Sequence, residues 1–323
     1  MKTGALIISL DFELFWGVRD HRTLRDYGAK ILGVRKAIPA MLELFKEFGI
    51  HATWATVGFL FFDRKQDLLA CCPETKPSYN NKALSPYNEV TSIGETEQDD
   101  PYHLGRSLLE LIRTYPGQEI ASHTFSHYYC LEPGQDARAF SADMQAAVRV
   151  ASTLGIKMES LVFPRNQTRP EYLDCCHNAG IHCYRGNENN WIYSAGAAED
   201  QSSLRRILRL ADSYLNLTGH NTYPWPTTNG MLNLPSSRFL RPFSRRLAWA
   251  DPLRKRRIES AIRHAARNGE IFHLWWHPHN FGANLPENLQ FLRGLLECFA
   301  AMRTRHGIES LNMAEAAERT RHA

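Results

Sequence analysis

Two short motifs, one of carboxylates and one of histidines, have spacings that suit metal binding. Asp11 and Glu13 are two residues apart, so in a strand both carboxylates leave the chain on the same side. His123 and His127 are four residues apart, and in one helical turn they would face the same way and chelate one metal ion. Two histidines and one carboxylate suit a catalytic zinc, iron, manganese, nickel or cobalt site. The H-E-x-x-H motif of zinc proteases is excluded, because no glutamate follows the first histidine.

Later predicted strands are followed by two more candidate segments, one with three histidines and one with an arginine. Residues 271–281 contain three histidines, and imidazole near neutral pH can act as a general acid. At least one of the three is expected to be an ordinary buried, hydrogen-bonded side chain. Arg165 can pair with a buried carboxylate and hold it ionised. Each motif alone also fits a structural alternative, such as a surface acid pair or a strand-end loop.

The segments before these motifs have the patterns of strands. Predicted strands precede the acidic pair, the first histidine pair and the late histidines, at residues 4–10, 119–122 and 270–276, and the first of them is a short apolar run. Single strands alternate with single amphipathic helices along the chain, which indicates parallel pairing. Both a layered open sheet and a closed barrel fit this alternation. In a β/α barrel the carboxyl ends of the strands form the active face, so the motifs would meet there.

Two polar segments interrupt the alternation. Residues 71–101 and residues 213–251 are rich in proline or asparagine and are predicted to be insertions without regular structure. Long loops of this kind in compact domains usually serve as lids or binding loops. We expect residues 1–323 to form a single domain that carries both insertions.

The composition excludes several classes of protein. Of the 323 residues, 43% are hydrophobic and 22% are charged, which is typical of a globular protein and not of a disordered chain or a coiled-coil rod. A net charge of +4 without a recognised module argues against nucleic-acid binding. The longest apolar stretch, residues 52–62, is too short to span a membrane, and no signal-peptide pattern is expected. Seven cysteines without a C-x-x-C pair predict reduced thiols in the cytoplasm.

Taken together, the motifs and their order resemble the NodB-homology family of polysaccharide deacetylases. The match of H-T-F-S-H to the family's H-[ST]-x-x-H motif is the most specific, and the resemblance covers most of the chain. The matching segments are S-L-D-F-E at 9–13, A-T-W-A-T-V-G at 52–58, H-T-F-S-H at 123–127, F-P-R-N at 163–166, N-E-N-N-W at 187–191 and L-W-W-H-P at 274–278.

The resemblance implies a fold and a cofactor. Family members are metal-dependent deacetylases of sugars, built on a distorted or incomplete (β/α) barrel with the site at the strand ends. By this resemblance Glu13, His123 and His127 bind one divalent transition metal. We expect zinc, with cobalt, manganese and nickel as alternatives.

The resemblance also implies catalytic roles. Asp11 would take a proton from water, His277 would protonate the leaving amine, and Arg165 would hold Asp11 ionised. Asp11 and Glu13 can exchange roles, since the sequence does not separate them. The predicted substrate-binding residues are Trp191, Trp276, His279 and Arg241.

The chain departs from the family pattern at two motifs. Phe12 stands where the second acidic residue usually lies, and Asn187 and Asn190 replace two acids of a later motif. A branch of the family with D-x-E includes allantoinase-like proteins, some of which need no metal. Two alternatives therefore stay open. One is a cyclic-imide or allantoin-type amidohydrolase on the same scaffold, and the other is a catalytically inactive homologue that binds glycans.

The expected substrate is an N-acetylated sugar or sugar conjugate of surface-polysaccharide biosynthesis. Eleven arginines lie between residues 205 and 263, which favours an anionic substrate such as a sugar linked to a nucleotide or lipid diphosphate. For residues 254–257 a solvated helix face is the preferred explanation of the charge. The same basic region is compatible with peripheral contact at the inner membrane surface. The sequence does not define the sugar or the oligomeric state.

Overall fold

The computed structural model describes residues 3–194, 203–227 and 230–321 and has a parallel β-sheet at its centre. Its strands are β1 Ala5–Phe12, β2 Ala52–Thr56, β3 Gln118–Ser122, β4 Ser160–Val162, β5 Cys183–Arg185, β6 Leu232–Asn233, β7 Arg238–Phe239, β8 Ile271–Trp276 and β9 Glu309–Leu311. Its helices are α1 Leu24–Phe48, α2 Lys65–Cys71, α3 Arg106–Arg113, α4 Ala137–Thr153, α5 Leu173–Asn178, α6 Ser203–Asp212, α7 Asp251–Asn268, α8 Leu285–His306 and α9 Met313–Arg321. The predicted alternation of strands and helices is confirmed.

The long first strand lies in the middle of the sheet. The strand order is β6-β5-β4-β3-β2-β1-β8-β7, and β9 pairs with the first residues of β1. Ile8 is in register with Ala52 of β2, and Ala5 is in register with Ile271 of β8. β1 and β2 are buried along their whole length, as expected for parallel strands covered on both faces. Their carboxyl ends therefore lie side by side with the ends of β3 and β8.

One short stretch, residues 232–240, joins the two edges of the curled sheet. The N–H of Leu234 donates to the carbonyl of Tyr184 in β5, and the N–H of Ser237 donates to the carbonyl of His273 in β8. The stretch thus contributes β6 to one edge and β7 to the other. Because two-residue strands make this connection, the (β/α) barrel is distorted, which confirms the predicted fold class.

The second insertion is more regular than predicted. Residues 213–251 contain β6 and β7, and α6 directly precedes them. The prediction of a structureless loop was wrong because strands of two residues are too short to produce a period-two pattern. Residues 228 and 229 of this insertion lie outside the described residues.

The first insertion, residues 71–101, forms one wall above the strand ends. It has two short 3₁₀ turns and is anchored by polar contacts on both sides. The N–H of Tyr129 donates to the Tyr79 hydroxyl at 2.8 Å, and the Arg19 guanidinium donates to the Ala83 carbonyl at 2.9 Å. The insertion is therefore tied to the loop that follows β3.

Side chains and glycines at the helix ends determine where the helices begin and end. Thr23 and Asp26 form a capping box at the start of α1, and Gly49 ends this helix with a φ of 59°. Pro39 lies inside α1. Asn312 accepts a hydrogen bond from the Glu315 N–H and caps α9.

Candidate active site

The first strand delivers two carboxylates to the bottom of a cleft. Asp11 lies in β1, and Glu13 lies just after it at the start of a 3₁₀ turn, Leu14–Gly17. Both carboxylates are buried, with exposed fractions of 4% and 3%. Gly17 packs directly on the Glu13 carboxyl group, and a Cβ at this position would overlap it. The turn therefore needs glycine here to leave room for Glu13.

The loop after β3 carries His123 and His127, but the two histidines do not lie in a helical turn. Thr124 and His127 have φ values of 62° and 57°, so the loop is irregular. Asp143 of α4 holds this loop from below, since it accepts the N–H of Phe125 at 2.6 Å and bonds the backbone and hydroxyl of Ser126. The predicted helical spacing was wrong, and hydrogen bonds to a buried aspartate bring the two rings together instead.

Glu13, His123 and His127 form a compact set of possible metal ligands. The Nε2 atoms of His127 and His123 lie 3.1 Å and 3.4 Å from Glu13 Oε2. One ligand atom from each of the three residues lies within 4.8 Å of the other two.

The surroundings of both histidines suit metal ligands. The Nδ1 of His123 lies 2.8 Å from the carbonyl of Val162, a contact that orients its Nε2 towards Glu13. This buried Nε2 has no hydrogen-bond partner among the described residues. Burial lowers the pKa of His127 to about 4, although the Glu13 carboxylate acts in the opposite direction. Two imidazole nitrogens facing a carboxylate fit a divalent transition metal.

Arg185, at the end of β5, is the ionic partner of Asp11. Its Nη1 and Nη2 lie 2.7 Å and 2.8 Å from the two Asp11 oxygens, a bidentate pair that is fully buried. Burial would raise the pKa of Asp11, but Arg185, His123 and His277 outweigh it and hold this pKa below its ordinary value. Asp11 is therefore a carboxylate at neutral pH. Sequence reasoning missed Arg185, the last residue of β5.

Arg165 does not have the predicted contact with Asp11. It forms ion pairs with Asp20 and, at 3.3 Å, with Glu132, and its guanidinium lies over the Tyr129 ring. The chain turns sharply after β4, with a φ of 55° at Arg165, and Asn166 is the residue that contacts Arg185, at 2.9 Å. The prediction was wrong because the spacing in the sequence could not reveal this turn.

A buried hydrogen-bond chain fixes Arg185 on its other side. Arg185 donates to Ser9 Oγ at 2.9 Å, and Ser9 lies 2.8 Å from His273 Nε2. His273 Nδ1–H donates to the Leu234 carbonyl, so Nε2 accepts from the Ser9 hydroxyl. Burial and the nearby Arg185 lower the pKa of His273 to about 3. His273 is thus the buried, hydrogen-bonded histidine that the sequence led us to expect among the three.

His277 is the accessible histidine of the late group. Its Nε2 lies 3.8 Å from Asp11 Oδ2 and 3.6 Å from Glu13 Oε1, and its side chain is 24% exposed. His279 stacks on it at 4.9 Å but is buried, and burial together with His277 lowers its pKa to about 3. His277 is therefore better placed than His279 to exchange a proton with a bound molecule.

The cleft above these residues has a volume of about 1040 Å³, enough for a sugar conjugate. His279, Trp275 and Phe239 line it together with the catalytic candidates. Trp276, predicted to bind substrate, is instead fully buried and packs on the core residues Phe45 and Phe281. Successive side chains of a strand point to opposite faces, so it is Trp275 that reaches the cleft.

The other two predicted substrate residues lie outside the main cleft. Trp191 is 58% exposed and lines a shallow depression on the surface, where the Arg205 guanidinium lies over its ring. Arg241 lines a smaller side cavity that opens next to His277. The prediction for Trp191 as a residue of the cleft was therefore wrong, while Arg241 stays a candidate.

The sequence comparisons find no match, since neither a family model nor a curated protein matches the chain. Solved structures do match. A protein from Mycobacterium smegmatis assigned as a polysaccharide deacetylase has a TM-score of 0.61 at 14% identity, over 99% of this chain and 92% of that one. One from Pseudomonas aeruginosa PAO1 with the same assignment has a TM-score of 0.52 at 11% identity, over 97% of this chain and 89% of that one.

The same fold also occurs with other activities. Puue allantoinase matches with a TM-score of 0.53 at 12% identity, over 97% of this chain and 88% of the allantoinase. A fold shared at such identities does not select the reaction. What it establishes is the architecture that the motifs predicted, and the chain has the fold of the polysaccharide deacetylases.

Proposed function

We propose that this protein is a metal-dependent hydrolase that removes the acetyl group from an N-acetylated sugar in surface-polysaccharide biosynthesis. The observation that carries the proposal is the set of Glu13, His123 and His127 beside an ionised Asp11 and an accessible His277, in one cleft. The fold of the polysaccharide deacetylases supports it.

Glu13, His123 and His127 would hold the divalent ion, and zinc suits this ligand set, with cobalt, manganese and nickel as alternatives. Such an ion lowers the pKa of water and polarises a carbonyl group. The structure favours Glu13 over Asp11 as the ligand, because both oxygens of Asp11 are already bonded to Arg185. This contact supports Asp11 as the base and Glu13 as the ligand, two roles that the sequence left open.

Asp11 and His277 would handle the protons of the hydrolysis. Asp11 accepts a proton from the attacking water as the water oxygen bonds to the acyl carbon. The C–N bond then breaks, and His277 donates a proton to the departing nitrogen, which leaves acetate and a free amine. Arg185 acts as a positioning residue, since it orients Asp11 and keeps it ionised.

The size of the cleft favours a sugar conjugate over a small cyclic amide. A volume of about 1040 Å³ exceeds what a ring such as allantoin can fill. Trp275 and Phe239 present aromatic surface in the cleft, which suits the apolar face of a sugar ring. The ring hydrolase is therefore the second candidate, supported by the fold shared with the allantoinase.

We further propose that the protein works in the cytoplasm, with peripheral contact at the membrane. Within the described part of the chain, no helix is long and apolar enough to cross a membrane. All seven cysteines are free thiols, as in a reducing compartment. Residues 203–257 carry ten arginines and one lysine against two aspartates, and Arg206, Arg245, Arg246 and Arg256 are exposed there together with Leu204, Ile207 and Trp249. Exposed apolar and basic side chains together suit an anionic lipid surface.

Metal analysis of the purified protein, combined with an assay for acetate release, tests the proposed function. We expect about one transition-metal ion per chain by mass spectrometry. The double variant His123→Ala/His127→Ala should lose it, while the surface double variant His177→Ala/His182→Ala should retain it. The metal-loaded protein should release acetate from a panel of N-acetylated sugars and sugar nucleotides.

Three outcomes would contradict the proposal in different ways. No metal after reconstitution with zinc, cobalt, manganese and nickel would reject the metal-dependent reaction. Bound metal with ring opening of cyclic ureides, but no acetate release, would favour the allantoinase-type reaction. Bound metal with neither activity, but with retained glycan binding, would indicate an inactive homologue.

A further inference from the structure

A side cavity of about 220 Å³ opens next to His277 and is separate from the metal ligands. It shares Trp275 and Phe239 with the main cleft, so one bound molecule can occupy both spaces. Arginines dominate the part of the side cavity outside the cleft: Arg209, Arg238 and Arg241. The proposed reaction gives these three arginines no role.

Arg238 has hydrogen-bonding capacity that no described residue uses. It is 3% exposed, and its Nη1 bonds to Asp212 at 2.7 Å. Its Nε and Nη2 atoms are buried and have no hydrogen-bond partner in the described ranges. Asp212 also neutralises Arg257, at 3.5 Å, so one carboxylate serves two guanidinium groups. Unsatisfied buried donors are costly, and a bound acceptor in the cavity would satisfy them.

Arg241 brings a second charge to the same cavity. Its Nε donates to the Ser213 hydroxyl at 2.7 Å, and no carboxylate in the described ranges forms an ion pair with it. Burial, and the neighbouring Arg209 and Arg254, lower its pKa, as expected for a cation crowded by other cations. Arg241 therefore lacks a negative partner within the described part of the chain.

The only acidic residue lining this cavity, among the described residues, is Glu188. Its Oε1 is buried without a hydrogen-bond partner among the described residues, and burial raises the pKa of this carboxyl. Among the described lining residues, the arginines therefore outnumber the single carboxylate. Planar guanidinium groups recognise phosphate and carboxylate oxygens in pairs.

We propose that the side cavity binds an anionic group of the substrate, a phosphate or carboxylate, while the amide lies in the main cleft. The part of this proposal that concerns the amide rests on the proposed function. The substrate class is then an acidic N-acetylated sugar derivative, and a neutral N-acetylated sugar is a poor substrate. Arg241 is a specificity-determining residue that acts in binding and not in the chemical step.

Binding measurements by calorimetry test the cavity without requiring turnover. The probes are inorganic phosphate, N-acetylglucosamine 1-phosphate, glucuronate and neutral N-acetylglucosamine. The wild type should bind the sugar phosphate at least tenfold more tightly than the neutral sugar. Arg241→Gln should weaken binding of the sugar phosphate by about tenfold to hundredfold, as for a lost bond between charged groups. Arg241→Lys should recover part of the loss, and the exposed control Arg245→Gln should change nothing.

The outcomes separate this proposal from the proposed function. Equal affinity of the wild type for the neutral and phosphorylated sugars would overturn the anion cavity, and this comparison needs no variant to fold. Unchanged binding in a folded Arg241→Gln would overturn it as well. Binding of phosphate but not glucuronate, or the reverse, would identify which anion the cavity takes. Binding that depends on Arg241 without any acetate release would retain the cavity and reject the deacetylase. Acetate release with equal kcat/KM for neutral and anionic sugars would retain the deacetylase and reject the cavity.

Discussion

The buried pair of Arg185 and Asp11 gives the sharpest test of how this site is built. Arg185→Met removes the guanidinium, which lies over the Trp275 ring, and replaces the apolar stem with one of similar length. It leaves a carboxylate at 4% exposure without its two bonds, at 2.7 Å and 2.8 Å. Breaking a buried ion pair from one side costs about 3–5 kcal/mol, so the free energy of unfolding should fall by that amount.

A double-mutant cycle separates the pair from its surroundings. Asp11→Asn alone leaves the buried Arg185 charge without its carboxylate partner, whereas Asp11→Asn/Arg185→Met removes both charges together. The double variant should therefore lose less stability than the sum of the single variants, with a coupling of about 1–3 kcal/mol. Urea unfolding at pH 7 measures all four proteins. In the activity assay Arg185→Met should lower kcat by about a hundredfold or more and change KM less, since the base is no longer oriented.

Arg165→Met is the matched control, because the sequence predicted this arginine as the partner of Asp11. Its ion pairs are with Asp20 and Glu132, so its coupling to Asp11 should be below about 0.5 kcal/mol. A larger coupling of Asp11 to Arg165 than to Arg185 would refute the assignment. The assignment would also be refuted if the losses in unfolding free energy of Arg185→Met and Asp11→Asn were simply additive in the double variant.

Three further predictions concern the supports of the site and of the side cavity. Gly17→Ala should weaken metal binding tenfold or more in a metal titration, because the new Cβ displaces Glu13; wild-type affinity would contradict this. Asp143→Asn should lower the metal affinity about tenfold to hundredfold, because an amide cannot accept all the hydrogen bonds that the loop at residues 123–127 donates to the carboxylate. An unchanged affinity would show that this loop keeps its conformation without Asp143. Burial would raise the pKa of Asp212, but Arg238 and hydrogen bonds lower this pKa from 3.8 to about 2. Above pH 4 the ionised carboxylate therefore stabilises the fold by about 2 kcal/mol. This stability should disappear as the pH falls from about 4 towards 2, so urea unfolding of Asp212→Asn and wild type should converge there; a pH-independent difference would contradict the sign.

The sequence predicted the elements of the fold better than the contacts between them. The strand before Asp11 and the strand before His277 leave clear apolar runs, because parallel strands are buried on both faces. Period-two and helical patterns describe one element at a time, however. They could not reveal that Arg185 and not Arg165 reaches Asp11, since this depends on a turn with positive φ after β4.

The same limit explains the errors in the candidate site. In β8 the side chains alternate, and a one-residue uncertainty in the strand exchanges Trp275 for Trp276. Asp143, a buried acid on the apolar face of α4, holds the loop that carries His123 and His127. A buried carboxylate on such a face is itself a signal that it has a structural partner, and this signal could have been used.

Residues 232–240, the stretch that joins the two edges of the sheet, support several parts of the site at once. Its Leu234 carbonyl fixes the tautomer of His273, which in turn orients Ser9 and so Arg185, the residue that keeps Asp11 ionised. The same stretch places Phe239 in the cleft and Arg238 in the side cavity. An insertion that the sequence suggested as a lid or binding loop is therefore part of the structure that sets the charge of Asp11, the proposed base. Changes in this stretch should alter both the acid–base chemistry and the choice of substrate, because both depend on the same few residues.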